Sequence, residues 1–422
     1  MKEPTINRIL GINATRRGLI KTENSFIFSS ANNLNLEGKI ITFSNSISCL
    51  SLKHDLVAIG FKGVNANLAI LNLKNSAILS QFKGHKFGVE AASFSPSNST
   101  IVSIGQDNVI HLWDYILNVK LASCKLSIHL NSICFHPSGT FFITSGLNHI
   151  KYWFISPDSV KIEGKYAVMG DHKNSDFLDL SCLITQEKTN IYTITKSALL
   201  ILFGESRLME KWVELKADYG TCITTCDKFI ICGCSNSIIR LFQPDSLLYI
   251  ATLPKPHLNT NSYPDTVSLS IDSTCTKLSV IYSDHSLFTW DLSDIKNITA
   301  IDSQLFQKDC IWGVETHPKF TWNSVNLNQD IPQNSFVTYS SDGTAMFWNL
   351  ESPNQPFKII YLESGIRSLK ISNDGKWMVT GDKSGLVSIH DLSSFSLYKS
   401  IQAHEGEILA IDFSLQHDGL FN

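Results

Sequence analysis

The stretch Gly84–Asp114 reads GHKFGVEAASFSPSNSTIVSIGQDNVIHLWD. Three short runs in it have strand character. Val89, Ala91 and Ser93 alternate along the first, Thr100–Ile104 is a continuous apolar second, and Val109–Trp113 is the third. A Ser95–Pro96 turn separates the first two runs, and the turn Gln106–Asn108 separates the second from the third. Short strands bounded by turn residues mark antiparallel all-β structure. A Gly-His pair opens the unit and a Trp-Asp pair closes it, with 28 residues from His85 to Trp113.

With that spacing the unit resembles a WD repeat. In such a repeat a turn Asp accepts from a buried His, the His reaches a Ser or Thr hydroxyl, and the hydroxyl meets the indole N–H. The resemblance puts His85, Ser103, Asp107 and Trp113 in these four places as a structural staple. Buried polar groups need partners, and the staple supplies them. The same residue types could be taken for a hydrolase triad. No Gly-rich nucleophile elbow surrounds Ser103, and the staple uses up its lone pairs, so no catalytic residue is assigned.

The unit recurs. Aligned on the Trp position, Trp153, Trp290 and Trp348 match Trp113, while Leu71, Phe203, Phe242 and His390 hold the same slot in weaker copies, and an N-terminal copy ends near Leu36. From Leu71 onward the spacings are 42, 40, 50, 39, 48, 58 and 42 residues. Propeller blades repeat every ~40–50 residues, unlike the shorter ankyrin and tetratricopeptide repeats. The staple decays across copies. Asp284 and Asp342 sit where Asp107 does relative to the Trp, Thr338 matches Ser103, and Val280 does not.

The fold expected is an all-β WD-repeat β-propeller, with one seven-bladed ring plus the start of a second, incomplete propeller. Seven slots from Leu36 to Trp290 fill the first ring, residues 1–300, and Trp348 and His390 begin the second, residues 301–422. Seven four-stranded blades close a ring; a single ring of nine is the alternative. The polar segment Trp322–Asn334 falls in the longest gap. Arg8–Ile12 precedes the first blade and is a candidate outer strand for another, since ring closure protects sheet edges.

Composition suits this reading. The 422 residues are 43% hydrophobic and 10% aromatic, with 24 Phe and 8 Trp, enough for a large core. With 35 basic and 38 acidic residues and no basic cluster beyond Arg16-Arg17, neither a nucleic-acid surface nor a membrane surface is expected. The N-terminus MKEPTINRILG does not read as a secretory signal, no run of eighteen apolar residues occurs, and a cytoplasmic chain is expected. The sequons at Asn13, Asn98 and Asn297 are then idle. The ten cysteines are scattered apart from Cys222, Cys226, Cys232 and Cys234. Cys232 and Cys234 are two apart on an apolar strand, so they read first as core thiols, with a zinc site or a redox pair as alternatives. No cofactor, metal or small-molecule substrate is expected.

Longer segments narrow the family. RILGI (Arg8–Ile12), GHKFGV (Gly84–Val89), KYWF (Lys151–Phe154), EKWVELK (Glu210–Lys216) and FIICGCSNSIIRLFQ (Phe229–Gln243) are followed by LPKPH (Leu253–His257) and YPDTVSLSID (Tyr263–Asp272). YSDHSLFTWDLSDI (Tyr282–Ile295), IWGVETHP (Ile311–Pro318) and SSDGTAMFWNL (Ser340–Leu350) complete the set. These resemble the mitogen-activated protein kinase-binding proteins and their spindle-pole WD-repeat relatives, from about Arg8 to Ser414. LPKPH and YPDT carry most of the specificity, because they are not general WD-repeat features. The resemblance implies two tandem propellers and a long disordered tail, a scaffold role in JNK-type kinase signalling, and a place at centrosomes or spindle poles. The sequence departs from that plan by ending at Asn422, inside a repeat opened by Ala403–Ser414 in which His404 matches His85. In the family, kinase docking is largely a tail property, and a fragment is expected.

The leading functional expectation is a non-enzymatic scaffold for protein–protein interactions. Aligning the segment after Gly-His places Phe87, Trp312, Ser364 and Gly406 at one position. Phe87 and Trp312, with Arg367 beside them, are candidates for a partner-binding face, because aromatic and Arg side chains are favoured anchors; packing between blades is the other reading. A substrate receptor of a cullin-type ubiquitin ligase is the alternative function. Such receptors usually carry Trp-Asp-x-Arg, and here Trp113-Asp114-Tyr115-Ile116 and Trp290-Asp291-Leu292-Ser293 lack the Arg. A propeller enzyme lacks support, with no H-E-x-x-H, phosphate loop or Gly-rich carboxylate pair.

Overall fold

The computed structural model describes residues 12, 14–15, 17–21, 26–36, 39–156, 161–185, 188–256, 263–318, 331–332, 335–351 and 355–414. Arg8–Gly11 and most of Trp322–Asn334 lie outside them. Apart from one 3-10 turn at Gly170–His172, the regular structure among these residues is entirely strand. The strands form nine four-stranded antiparallel sheets, each built from four consecutive strands.

The chain divides into two compact units, Met1–Ser303 and Gln304–Asn422. Seven sheets belong to the first unit: blades 1 to 7, spanning 19–42, 47–83, 89–125, 130–166, 177–214, 220–252 and 266–304. Their first strands contact one another in order, and Leu19–Lys21 of blade 1 returns to Thr266–Ile271 of blade 7, so the unit closes on itself. Blade 7 carries its own fourth strand, Thr299–Gln304. Blades 8 and 9, spanning 311–361 and 366–402, belong to the second unit.

The burial of each strand follows from its place in a blade. First strands such as Val89–Phe94 alternate between blades and axis. Second strands such as Ile101–Gly105 are buried throughout, because a neighbouring blade covers each face. Fourth strands such as Val119–Lys125 form the rim and are mostly exposed. The slot seen in the sequence is one register position. Trp113 pairs with Ile101, Leu71 with Val57, Trp153 with Phe142, Phe203 with Ile191 and Phe242 with Ile230. Trp290, Trp348 and His390 pair likewise with Leu278, Phe336 and Met378, and Leu36 with Ile27. A large side chain there fills the space between adjacent sheets.

The turn between second and third strands needs a residue at positive φ. Asn108 (58°), Asn148 (53°), Gly343 (82°) and Gly385 (84°) take it, and these residue types reach the left-handed region most cheaply.

Candidate functional site

The polar residues of blade 3 assemble into one chain of bonds. His85 Nδ1 lies 3.2 Å from Asp107 Oδ1 and its Nε2 lies 2.8 Å from Ser103 Oγ. The Trp113 indole N–H donates to the same Ser103 oxygen at 2.9 Å. Asp107 also accepts the Lys86 amide at 2.9 Å, which ties the loop before the first strand to the turn after the second. Burial pushes the His85 pKa down, more than Asp107 raises it. Burial works upward on Asp107, but the Lys86 amide and His85 together hold it below the usual carboxylate range. A neutral His85 can donate from Nδ1 and accept from Nε2. Ser103 is fully buried, its proton held by His85 and its oxygen accepting from Trp113, so no nucleophile faces solvent here.

Other blades keep the indole bond and change its partners. Trp153 donates to Thr144 Oγ1 at 2.9 Å, and His149, from the third strand, approaches that oxygen at 2.9 Å. Trp348 donates to Thr338 Oγ1 at 2.8 Å. In blade 8 Gln307 stands where His85 does, donating to Thr338 O and Thr344 O at 3.2 and 3.1 Å. Asp342 accepts the Lys308 amide at 2.8 Å, as Asp107 accepts that of Lys86. In blade 7 the Asp107 counterpart, Asp284, serves its own turn by accepting from Ser286. His404, matched to His85 in sequence, is exposed.

One alignment is corrected. The first strands of blades 2 to 9 carry a bulge after their first residue, as in Leu130/Ser132, Phe177/Asp179, Ile311/Gly313 and Ile366/Ser368. Ile311 pairs with Ser340 just as Val89 pairs with Gly105. Trp312 is therefore the counterpart of Glu90 and Arg367, and Asp309 is the counterpart of Phe87. Aligning the segment after Gly-His sets Trp312 beside Phe87 and so displaces blade 8 by three residues relative to the ladder. Ladder pairing fixes the register, and the extra bulge residue points away from it.

Phe87 is 52% exposed and belongs to the first unit. Trp312 and Arg367 belong to the second, where the structure brings them together. The guanidinium lies 3.9 Å from the centre of the Trp312 ring, and Trp312 keeps half its surface exposed. The indole N–H donates to Ser341 Oγ at 2.6 Å, and Arg367 pairs with Glu407 at 2.9 Å. A cation over an indole face held by a carboxylate is a fixed, half-open aromatic platform.

The axis of the first unit holds a group the sequence reading passed over. Arg17 reaches Ser132 Oγ at 2.5 Å and Asp179 Oδ1 at 3.4 Å. Asp179 also accepts from Ser132 Oγ at 2.7 Å and from the Leu180 and Ile223 amides at 2.9 and 3.1 Å. Arg17, Asp179, Glu90, Asn131 and Lys62 line a cavity of about 380 Å³. The sequence shows Arg17 only as half of a basic pair, because partners 115 and 162 residues away leave no local signal.

Cys222, Cys226, Cys232 and Cys234 are buried. Cys232 and Cys234 pack with Ile230, Phe242 and Leu202, and burial drives both thiols upward, Cys234 to about 12. Among the described residues no group of three or more His, Cys, Asp or Glu is arranged to hold a metal ion.

Residues 76–114, 122–153 and 358–391 match the family profile of the WD domain, G-beta repeat. Mitogen-activated protein kinase-binding protein 1 of Mus musculus is 31% identical over 72% of this chain. The chain belongs to the mitogen-activated protein kinase-binding protein family. WD repeat-containing protein 62 of Mus musculus is 29% identical over 90% of the chain. This family member spans about a quarter of those relatives, 24% of the first and 29% of the second. A chain in the crystal structure of the mitotic checkpoint complex superposes with a TM-score of 0.55 over 68% of this chain and 93% of that one. At 15% identity that likeness carries the fold alone.

Proposed function

We propose that this chain is a non-enzymatic scaffold that binds other proteins through the loop and axial surfaces of its blades. The observation that carries the reading is the Trp312–Arg367–Glu407 stack. It is a half-exposed aromatic held rigid by a cation and an indole hydrogen bond. Rigid aromatic and Arg side chains are the residues on which protein interfaces concentrate their energy. The polar groups of the staple, by contrast, are spent on one another.

The finer reading is that its partners come from mitogen-activated protein kinase signalling or spindle-pole assembly, in the cytoplasm or on the cytoskeleton. The name of the 31%-identical relative supports the first. Trp312→Ala and Arg367→Ala test the platform. Each is expected to weaken capture of a shared set of partners, measured by affinity purification with quantitative mass spectrometry, by ~10-fold or more, about 1.4 kcal/mol, for an anchor residue. The melting curve of the Trp312→Ala variant should hardly move, since Trp312 is half exposed. Unchanged capture by both variants would remove the platform from the interface.

A further inference from the structure

Neighbouring first strands of the closed unit touch through a repeated pair of positions. Taking Val89, Leu130, Phe177 and Gly220 as equivalent, the fourth residue after one meets the fifth residue after the next. Between blades 3 and 4, Ser93 Oγ accepts the Phe135 amide at 3.1 Å. Between blades 5 and 6, Ser181 Oγ and Thr225 Oγ1 lie 2.7 Å apart. Between blades 4 and 5 the same two positions are Cys134 and Cys182. Both thiols pack on the cluster of Phe177, Leu180 and Ile191, the matched positions set them facing each other across the joint, and Cys134 Sγ donates to the Phe135 carbonyl at 3.4 Å. Both retain partial exposure, unlike the buried cysteines of blade 6.

We propose that Cys134 and Cys182 are a reversible redox pair, oxidised by a small peroxide to a disulfide that fastens blade 4 to blade 5. The Cys134 thiolate attacks one peroxide oxygen, breaking the O–O bond and releasing hydroxide, and becomes a sulfenic acid. The Cys182 sulfur then displaces that hydroxyl, which leaves with the Cys182 proton as water. Two thiols are oxidised by two electrons, and hydrogen peroxide is reduced to two waters.

The two thiols are prepared for these roles. Contact with Cys182 holds Cys134 below the usual thiol range, against burial and with help from Arg17, while Cys182 is pushed well up by the same contact and by burial. The thiolate is the attacking form, and the Arg17 cation lies on the Cys134 side of the pair. Cys226 of blade 6 and Cys275 of blade 7 are both buried, and burial pushes Cys226 up to about 12 and leaves it protonated. That pair is an internal control.

The test is peptide mapping of the folded full chain after graded hydrogen peroxide, with free thiols alkylated before digestion. A Cys134–Cys182 cross-linked peptide two hydrogens lighter than the sum of its halves is expected, reversed by dithiothreitol. It should appear at peroxide doses that leave Cys226 and Cys275 fully alkylatable. Cys134→Ser and Cys182→Ser should each abolish it; Ser and Thr fill the equivalent positions at the next joint, so both variants should fold. If exposed Cys310 is oxidised while Cys134 and Cys182 remain alkylated, the proposal fails. It fails equally if Cys134 proceeds to sulfinic acid without the cross-link.

Discussion

At the scale of single residues, Asp107 shows how much of a blade hangs on one side chain. Its two oxygens serve His85, the Lys86 amide and the Val109 amide. Asp107→Ala leaves buried His85 without that partner, which costs about 1–3 kcal/mol, while the exposed Lys86 amide turns to water. A fall in the denaturant midpoint of the first transition is expected, and an unchanged midpoint would contradict the staple. The buried histidines give a second prediction. Burial lowers His85, His136, His317 and His390, and lowers His111 and His149 to about 4. With folded values below the free value of about 6.5, the unfolded chain binds protons first. The resulting stability is complete above about pH 6.5 and is lost as pH falls toward about 4. Urea midpoints should decline between pH 7.5 and pH 5; a level profile across that interval would refute it.

At the scale of the strand, the bulge on the first strands of blades 2 to 9 matters most. It turns one residue per blade out of the ladder, and in blades 3, 4, 8 and 9 that residue is Glu90, Asn131, Trp312 and Arg367. In blade 5 the residue after the bulge is Asp179, which joins its own blade to blades 4 and 6 and to Arg17. Its side chain is 8% exposed, while that of Arg17 is 20% exposed. Removing one partner of a buried ion pair costs about 3–5 kcal/mol, and the solvent left to Arg17 puts Asp179→Ala at the lower end. Thermal unfolding should show the loss. Asp179→Asn, which keeps an acceptor oxygen, should lose less.

At the scale of the whole molecule, closure of the first unit rests on blade 1, whose Leu19–Lys21 strand lies between blades 7 and 2. Without it, the apolar faces that blades 2 and 7 turn toward blade 1 have no cover, and uncovered sheets recruit other chains. Deleting residues 1–42 should therefore give a protein that aggregates and binds a hydrophobic dye, measured by light scattering and dye fluorescence. Residues 1–304 alone, which retain all seven sheets, should unfold in one cooperative transition. A soluble, cooperatively folding deletion of blade 1 would show that the ring does not depend on it.

The sequence by itself determined what local pattern can encode. Strand alternation, turn residues and the spacing of the Trp slot specify the repeat, and His85, Ser103, Asp107 and Trp113 were legible because the bonds among them close within one blade. What depends on partners far along the chain was decided by the tertiary structure. Arg17 finds Asp179, and Cys134 and Cys182 come to one cluster at a joint between blades. Trp312 takes its place from ladder register: a loop of variable length after the blade's opening can be aligned several ways, whereas hydrogen bonding between strands admits one pairing. Short-range sterics and hydrogen bonds write the blade into the sequence; the contacts that join blades exist only once the ring brings distant residues together.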